Sequence, residues 1–240
     1  EINTDFNIYI PAWNIATMID IDAQRWLGTI FRELDVPLIT NTVIEWEKTV
    51  KALLKIIEAI KVTERHKEFI VNGEYPLENA FNKLLKRIQF FIMHIPIIKY
   101  LCNPNLRSRH WIKISEATKI QIGPNDGVTW NWIIEIGLEE YIVEIASISR
   151  SADNEAKIEG AIAKMCEDLT NISFTVEETE HGIKLNDPPT ALLILSKHQQ
   201  IIQEIFVPPY IQPFISKVKE YEILAANVRK ILKQSIETEE

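Results

Sequence analysis

The amino-acid sequence predicts a mainly all-α protein, an elongated array of helical bundles with one small β-hairpin. Three observations carry that expectation. Apolar residues recur at three- and four-residue steps through most of the chain. The seven glycines and eleven prolines gather in short stretches such as "GPNDG" and "NDPP", not at strand-like intervals. One short segment, "ISFTVEE", alternates apolar and polar residues as a strand does.

Composition sets the outer bounds. With 46% hydrophobic and 25% charged residues among 240, the chain matches ordered globular proteins and leaves disorder unattractive. A net charge of −8 argues against a general nucleic-acid surface, which needs clustered Lys and Arg to displace counterions from phosphates. The most apolar run, "IQFFIMHIPIIKYL", is too short to span a bilayer and carries His94 and Pro96, so it reads as core and no membrane partner is expected. The opening residues "EINTDFN" do not look like a secretory leader. Cys102 and Cys166 stand too far apart for a metal knuckle, and a lone pair is a poor disulfide framework, which fits a reducing cytosol.

Taken in order, "IDAQRWLGTIFREL" and "NTVIEWEKTVKALLKIIEAIK" read as amphipathic helices. In the second, Val43, Trp46, Val50, Leu53, Leu54 and Ile57 form one stripe, and Asn41 or Thr42 is placed to cap its start. After the "NGEYP" turn, "LENAFNKLLKRIQFFIMHI" continues the pattern until Pro96, where a break or kink is expected. Asn103 then caps a helix with Pro104 at its first position, running to about Ile120 before "GPNDG". Residues 129–171 read as two nearly continuous helices that meet around "SRSA" and "DNEAK". The hairpin follows near 171–186, with Ile172, Phe174 and Val176 on one face and "TEHG" as its turn. Asp187 and Pro188 open "TALLILSKHQQIIQEI", and "ISKVKEYEILAANVRKILKQS" is the last helix. The organisation expected is a helical part at 1–95 and a second part at 96–240 that holds the hairpin and the two C-terminal helices.

Chemistry is sparse. There is no Walker A loop and no G-x-G-x-x-G, and His66, His94, His110, His181 and His198 show no metal-ligand spacing, so no catalytic, cofactor-binding or metal residue is assigned. The pairs Glu139–Glu140 and Glu177–Glu178 read as solvated faces. Cys166 reads as a small thiol buried inside a helix, and Cys102 lacks a basic partner. The triplet Arg109, His110 and Trp111 invites a catalytic reading. At about 100° per residue, however, Leu106, His110, Ile114, Ala117 and Ile120 share one face, with Arg109 and Trp111 flanking it on opposite sides. The triplet is therefore read as a packed frame in which the imidazole finds internal partners and the indole supplies area.

Residues 95–115, "IPIIKYLCNPNLRSRHWIKIS", resemble the linker region of dynein heavy chains, the segment preceding the AAA+ motor ring. Asn103, Pro104, Leu106, Arg109, His110 and Trp111 carry that signature. "IIEIGLEEYIVEIASIS", "KIEGAIAKM", "ISFTVEE" with "GIKL", His198 and "PPYIQPFISKV" follow in the family's order, so the likeness covers roughly residues 75–235. The chain departs from the family where Leu169, Tyr221 and Ser235 replace tryptophan, and where "HQQ" lacks the acidic pair that commonly precedes its histidine.

The resemblance implies a non-catalytic mechanical role: a linker that arches over the ring, bends and straightens with the nucleotide cycle, and passes the stroke to the tail. No cofactor is implied in this segment, since ATP and Mg belong to the ring. The implied partners are the ring of the same heavy chain, the tail with its light and intermediate chains, and the microtubule indirectly. The implied location is the cytoplasmic cytoskeleton, leaning to the axoneme of a cilium or flagellum. The alternative is a free-standing helical scaffold that binds protein partners; an enzyme of unrecognised type is disfavoured by the lack of clustered chemistry.

Overall fold

The computed structural model describes residues 2–61, 76–124, 126–171, 175–179, 182–186, 188–205 and 210–237. It is mainly helical. Packing divides the chain into two compact units, Glu1–Ser149 and Arg150–Glu240.

The first unit begins with helices α1 (Ile2–Gly28), α2 (Val36–Lys61) and α3 (Pro76–Leu101). A 3-10 turn at Phe31–Glu33 follows α1. Each helix buries an apolar stripe: Ala12, Ile15, Ile19 and Trp26 on α1; Ile39, Val43, Trp46, Val50, Leu53 and Ile57 on α2, where Leu54 of the expected stripe is only half-buried; Phe81, Leu84, Ile88 and Phe91 on α3. The cap of α2 differs from the expected Asn41 or Thr42. Asp35 Oδ1 accepts the backbone N–H of Leu38 at 3.0 Å, and Pro37 sits in the first turn, where its missing N–H costs nothing. Thr42 instead donates its hydroxyl to the Leu38 carbonyl within the helix.

Pro96 does not break α3, which continues to Leu101. The turn beyond the proline is anchored by Ile97, Ile98 and Leu101, all essentially without exposure, and that burial offsets one lost ladder bond. The Lys61–Glu78 ion pair links the end of α2 to the start of α3, and Arg87–Asp20 links α3 to α1. The expected "NGEYP" turn lies outside the described residues.

Helix α4 (Ser108–Thr118) starts later than the expected Asn-Pro position. Asn103 Oδ1 accepts the N–H of Asn105 at 2.9 Å, which holds Asn103–Asn105 as a side-chain-closed turn ahead of the helix. Arg107 is the cap residue. At the other end Lys119 adopts φ 57°, and this left-handed residue stops the helix before "GPNDG" is reached.

The remainder of this unit holds α5 (Trp130–Glu135), a 3-10 turn at Leu138–Tyr141, and the start of α6 (Ile142–Thr170). The break expected near residue 152 falls instead at Gly137, whose φ of 68° suits a residue without a Cβ. Ala152 and Asp153 lie within α6. The backbones of Thr29–Phe31 and Val128–Trp130 pair through Phe31 N–H to Val128 O at 2.9 Å and Trp130 N–H to Thr29 O at 3.3 Å.

In the second unit, β1 (Thr175–Thr179) pairs antiparallel with β2 (Gly182–Asn186), from Thr175 opposite Asn186 to Thr179 opposite Gly182. The connecting residues 180 and 181, and the expected strand residues Ile172 and Phe174, lie outside the described residues. Helix α7 (Pro188–Ile205) opens at the expected proline, and α8 (Ile215–Glu237) follows a 3-10 turn at Gln212–Phe214. Ile158, Ile162 and Met165 of α6 pack with Ile202 of α7 and with Ile211, Phe214, Val218 and Tyr221. A second cluster of Ala191, Leu195 and Leu232 joins α7 to α8.

Candidate functional site

The six signature residues do not converge on a pocket. Asn103 works as a clamp: its Nδ2 donates to the Ser149 hydroxyl at 2.8 Å and to the Ser149 carbonyl at 3.2 Å, tying the end of α3 to α6. Pro104 is an exposed residue of the turn that follows Asn103. Leu106, His110, Trp111, Ile114 and Thr118 are buried, so the inward stripe of α4 lies closer to Trp111 and Thr118 than the expected line through Ala117 and Ile120. Arg109 is half-buried beside that stripe.

His110 is fully buried, and its Nδ1 accepts the Arg107 backbone N–H at 3.0 Å. That bond satisfies a backbone donor at the start of the helix, a capping task usually done by Glu or Gln at this position. Trp111 meets Phe31 with centroids 6.0 Å apart, and its indole N–H is buried without an acceptor. The ring contributes area, as Trp130 also does with its own unpartnered N–H.

Trp111 also lines a cleft of about 580 Å³ between α4 and Lys119–Asp126. Two of its polar side chains, Ser115 and Asp126, are engaged with the backbone. Ser115 Oγ bonds both the N–H and the carbonyl of Ile122 at 3.2 Å, and Asp126 accepts the Gly123 N–H at 2.6 Å.

Cysteine chemistry is muted. Burial, partly countered by Arg32, pushes the Cys102 thiol up to about 11, and its Sγ donates to the Phe31 carbonyl at 3.0 Å. Cys166 is exposed, against the buried reading. Among the described residues no cluster of His, Cys, Asp and Glu is arranged to hold a metal ion, and no helix is long and apolar enough to cross a membrane.

Two polar centres were not singled out from the sequence. In the first, His198, buried on α7, is bonded at Nδ1 by the Tyr221 hydroxyl and faces Asp168 Oδ2 with Nε2 at 3.0 Å. Burial, with Cys166 and then Asp168 nearby, pushes Tyr221 up to about 12, so its O–H stays protonated and donates to Nδ1. His198 Nε2 lies against Asp168 on the other side of the ring, and one chain of contacts joins α8, α7 and α6. A signal existed: Ala191, Leu195, His198 and Ile202 follow core spacing, which places a polar residue on a buried stripe.

In the second centre, Glu139 departs from its solvated-face reading. Its Oε1 is buried and lies 3.3 Å from His94 Nε2. Glu140 is exposed as expected, and the side chains of Glu177 and Glu178 lie outside the described residues. Of the departures from the resembled family, Tyr221 supplies the hydroxyl just described, and Leu169 packs partly buried against both clusters of the second unit. Ser235 falls in α8 with its side chain outside the described residues.

Two outcomes follow. Trp111→Ala lowers unfolding stability by about 3–5 kcal/mol, read by chemical denaturation; an unchanged midpoint contradicts the packing role. Tyr221→Phe leaves the buried Nδ1 lone pair of His198 unmet and costs about 1–3 kcal/mol. Equal stability of that variant and the parent chain contradicts the hydroxyl's role.

Comparison with known proteins adds to this geometry. The family model described as dynein heavy chain, N-terminal region 2, matches residues 1–240. Dynein axonemal heavy chain 1 of Mus musculus is 26% identical over 233 residues, covering 96% of this chain and 5% of the relative. Dynein axonemal heavy chain 3 of Homo sapiens is 23% identical over 222 residues, 89% of this chain and 5% of the relative. The dynein alpha chain of the flagellar outer arm of Chlamydomonas reinhardtii is 23% identical over 175 residues, covering 72% and 4%. The chain thus spans about 5% of the length of the curated relatives it matches first.

Proposed function

The chain belongs to the dynein heavy chain N-terminal region 2 family, and from that premise we propose that it is a non-catalytic mechanical segment, the linker of a microtubule-based motor ATPase. The match over residues 1–240 carries the reading. In it, the segment bends and straightens over the AAA+ ring of the same heavy chain and passes the stroke to the tail, and through the tail to light and intermediate chains. ATP and Mg act in the ring. The axonemal and flagellar names of the relatives support a place on the cytoskeleton of a cilium or flagellum.

Physical features fit a lever. A lever must hold its shape under load, and α1, α2, α3 and α6 run 27, 26, 26 and 29 residues. Helices of that length, with continuous buried stripes, resist bending because close-packed interiors transmit strain instead of absorbing it. Breaks such as Gly137 are places where backbone angles can change at low cost. The elongated arrangement of bundles, with the paired strands as a minor element, belongs to the same proposal. A free-standing scaffold is the second reading, favoured by large exposed side chains such as Trp13, 76% exposed, and Val143, 71% exposed.

The purified 240-residue chain is expected to show no ATP turnover above background in a phosphate-release assay. Turnover that a point substitution within the chain abolishes would overturn the non-catalytic reading. In a heavy chain carrying this segment, its deletion is expected to stop microtubule gliding while ATP turnover persists. Unimpaired gliding would favour the scaffold.

A further inference from the structure

Helix α1 is apolar on two opposite faces. Its inner face, Ala12, Ile15, Ile19 and Trp26, is buried in the first unit. At about 100° per residue, Ile10, Trp13, Thr17 and Ile21 fall on the reverse side. All four are exposed, Ile10 by 52%, Trp13 by 76% and Ile21 by 62%. From Phe6 to Ile19 the helix holds no charged residue. A helix with one side in water carries a polar face there, whereas a helix that is apolar all round belongs to a covered core.

Little on this outer stripe asks for a charged cover. Thr17 donates its hydroxyl to the Trp13 carbonyl at 3.0 Å, and Asn14 is the exposed amide beside it. At the far end Asp20 is paired with Arg87, and Asp22 with Arg25. From Ile10 to Ile21 the stripe runs three turns, about 16 Å.

Charge and chain length select the occupant. An anionic lipid or nucleic-acid surface needs Lys or Arg on the stripe, and the stripe has none. Interfaces that form and part resemble ordinary polar surface, while an uncharged stripe centred on tryptophan has the make-up of an obligate one. In dynein axonemal heavy chain 1 of Mus musculus the matched segment is 5% of the polypeptide. A helix carried on the same long chain meets the stripe without the cost of bringing two molecules together.

We propose that the outer stripe of α1 is the permanent seat of an amphipathic helix from another part of the same heavy chain, which moves with the first unit as one body. The proposal rests on the linker reading. The occupant presents apolar side chains at three- and four-residue steps over about three turns, with few charges between them. Permanence separates this seat from a contact with the AAA+ ring. A lever that swings over the AAA+ ring makes and breaks its contacts there, whereas the seat stays filled throughout the nucleotide cycle.

Hydroxyl-radical footprinting of the purified heavy chain tests whether the seat is filled. With and without ATP, Trp13 should oxidise as slowly as Trp46 and Trp130, the buried internal standards of the same unit. Oxidation at the rate of an open indole in either state overturns the proposal. A heavy chain with p-benzoylphenylalanine in place of Trp13, prepared as a mixture of isotope-labelled and unlabelled molecules, identifies the cover. The expected photo-crosslink joins position 13 to a peptide of the same molecule outside residues 1–240, in equal yield with and without ATP. A crosslink to a second copy or to a separate subunit overturns the proposal, as does a yield that follows the nucleotide or no crosslink at all. The gliding experiment keeps the two readings apart. An intramolecular, ATP-independent crosslink with gliding intact after deletion of the segment leaves the seat and removes the lever; a crosslink to a second copy with gliding lost does the reverse.

Discussion

Phe91 is the side chain on which the first unit turns. Its ring meets Trp26 of α1 edge-on at 5.6 Å and Trp130 of α5 at 5.7 Å, while Trp26 stacks on Trp46 of α2 at 5.5 Å. All four rings are buried. Rings of this size bring the largest apolar areas available to a side chain, and their edge-to-face contacts add about 0.5–1.5 kcal/mol per pair beyond area. One aromatic junction thus fixes how α1, α2, α3 and α5 meet. The stripes along α2 and α3 extend the same seam.

Polar contacts set the registers that apolar packing leaves loose. Asn103 clamps the end of α3 to Ser149, Asp35 sets the start of α2, and the imidazole of His110 sets the start of α4. Each bond contributes about 0.5–1.5 kcal/mol net, and leaving the partly buried partners of Asn103 and His110 unmet costs more, so these two contacts act chiefly as selectors of geometry. The cluster that first looked catalytic, Arg109, His110 and Trp111, is part of this selection: one ring caps, one ring packs, and the guanidinium lies beside the stripe. In this interior area supplies stiffness and a few directional bonds define the angles.

Stripes were legible in the sequence because they depend only on helical spacing: all seven buried apolar positions of α2, from Val36 to Ile57, recur at steps of three and four. The mainly helical class followed from the same periodicity. Boundaries were less legible, for particular reasons. Asn103-Pro104 has the letters of a helix start, but the Asn103 carboxamide is spent on Ser149 and on Asn105, so α4 begins later. Pro96 has the letter of a break, but long-range burial of Ile97, Ile98 and Leu101 holds the helix together. The helix-ending role of Lys119 had no signal, since lysine has no special liking for positive φ. The polar centres were hidden because they join residues remote in sequence, Asp168 with His198 and Tyr221, and His94 with Glu139.

The account stands on the claim that the Phe91 junction holds the helices of the first unit as one rigid body. Native-state hydrogen exchange on Phe91→Ala tests that claim most directly, because it reads the stability of each helix separately. The account predicts that α1, α2, α3 and α5 lose protection together, by the same free energy of about 3–5 kcal/mol. Loss confined to the turns of α3 around residue 91, with α1, α2 and α5 unchanged, would contradict it.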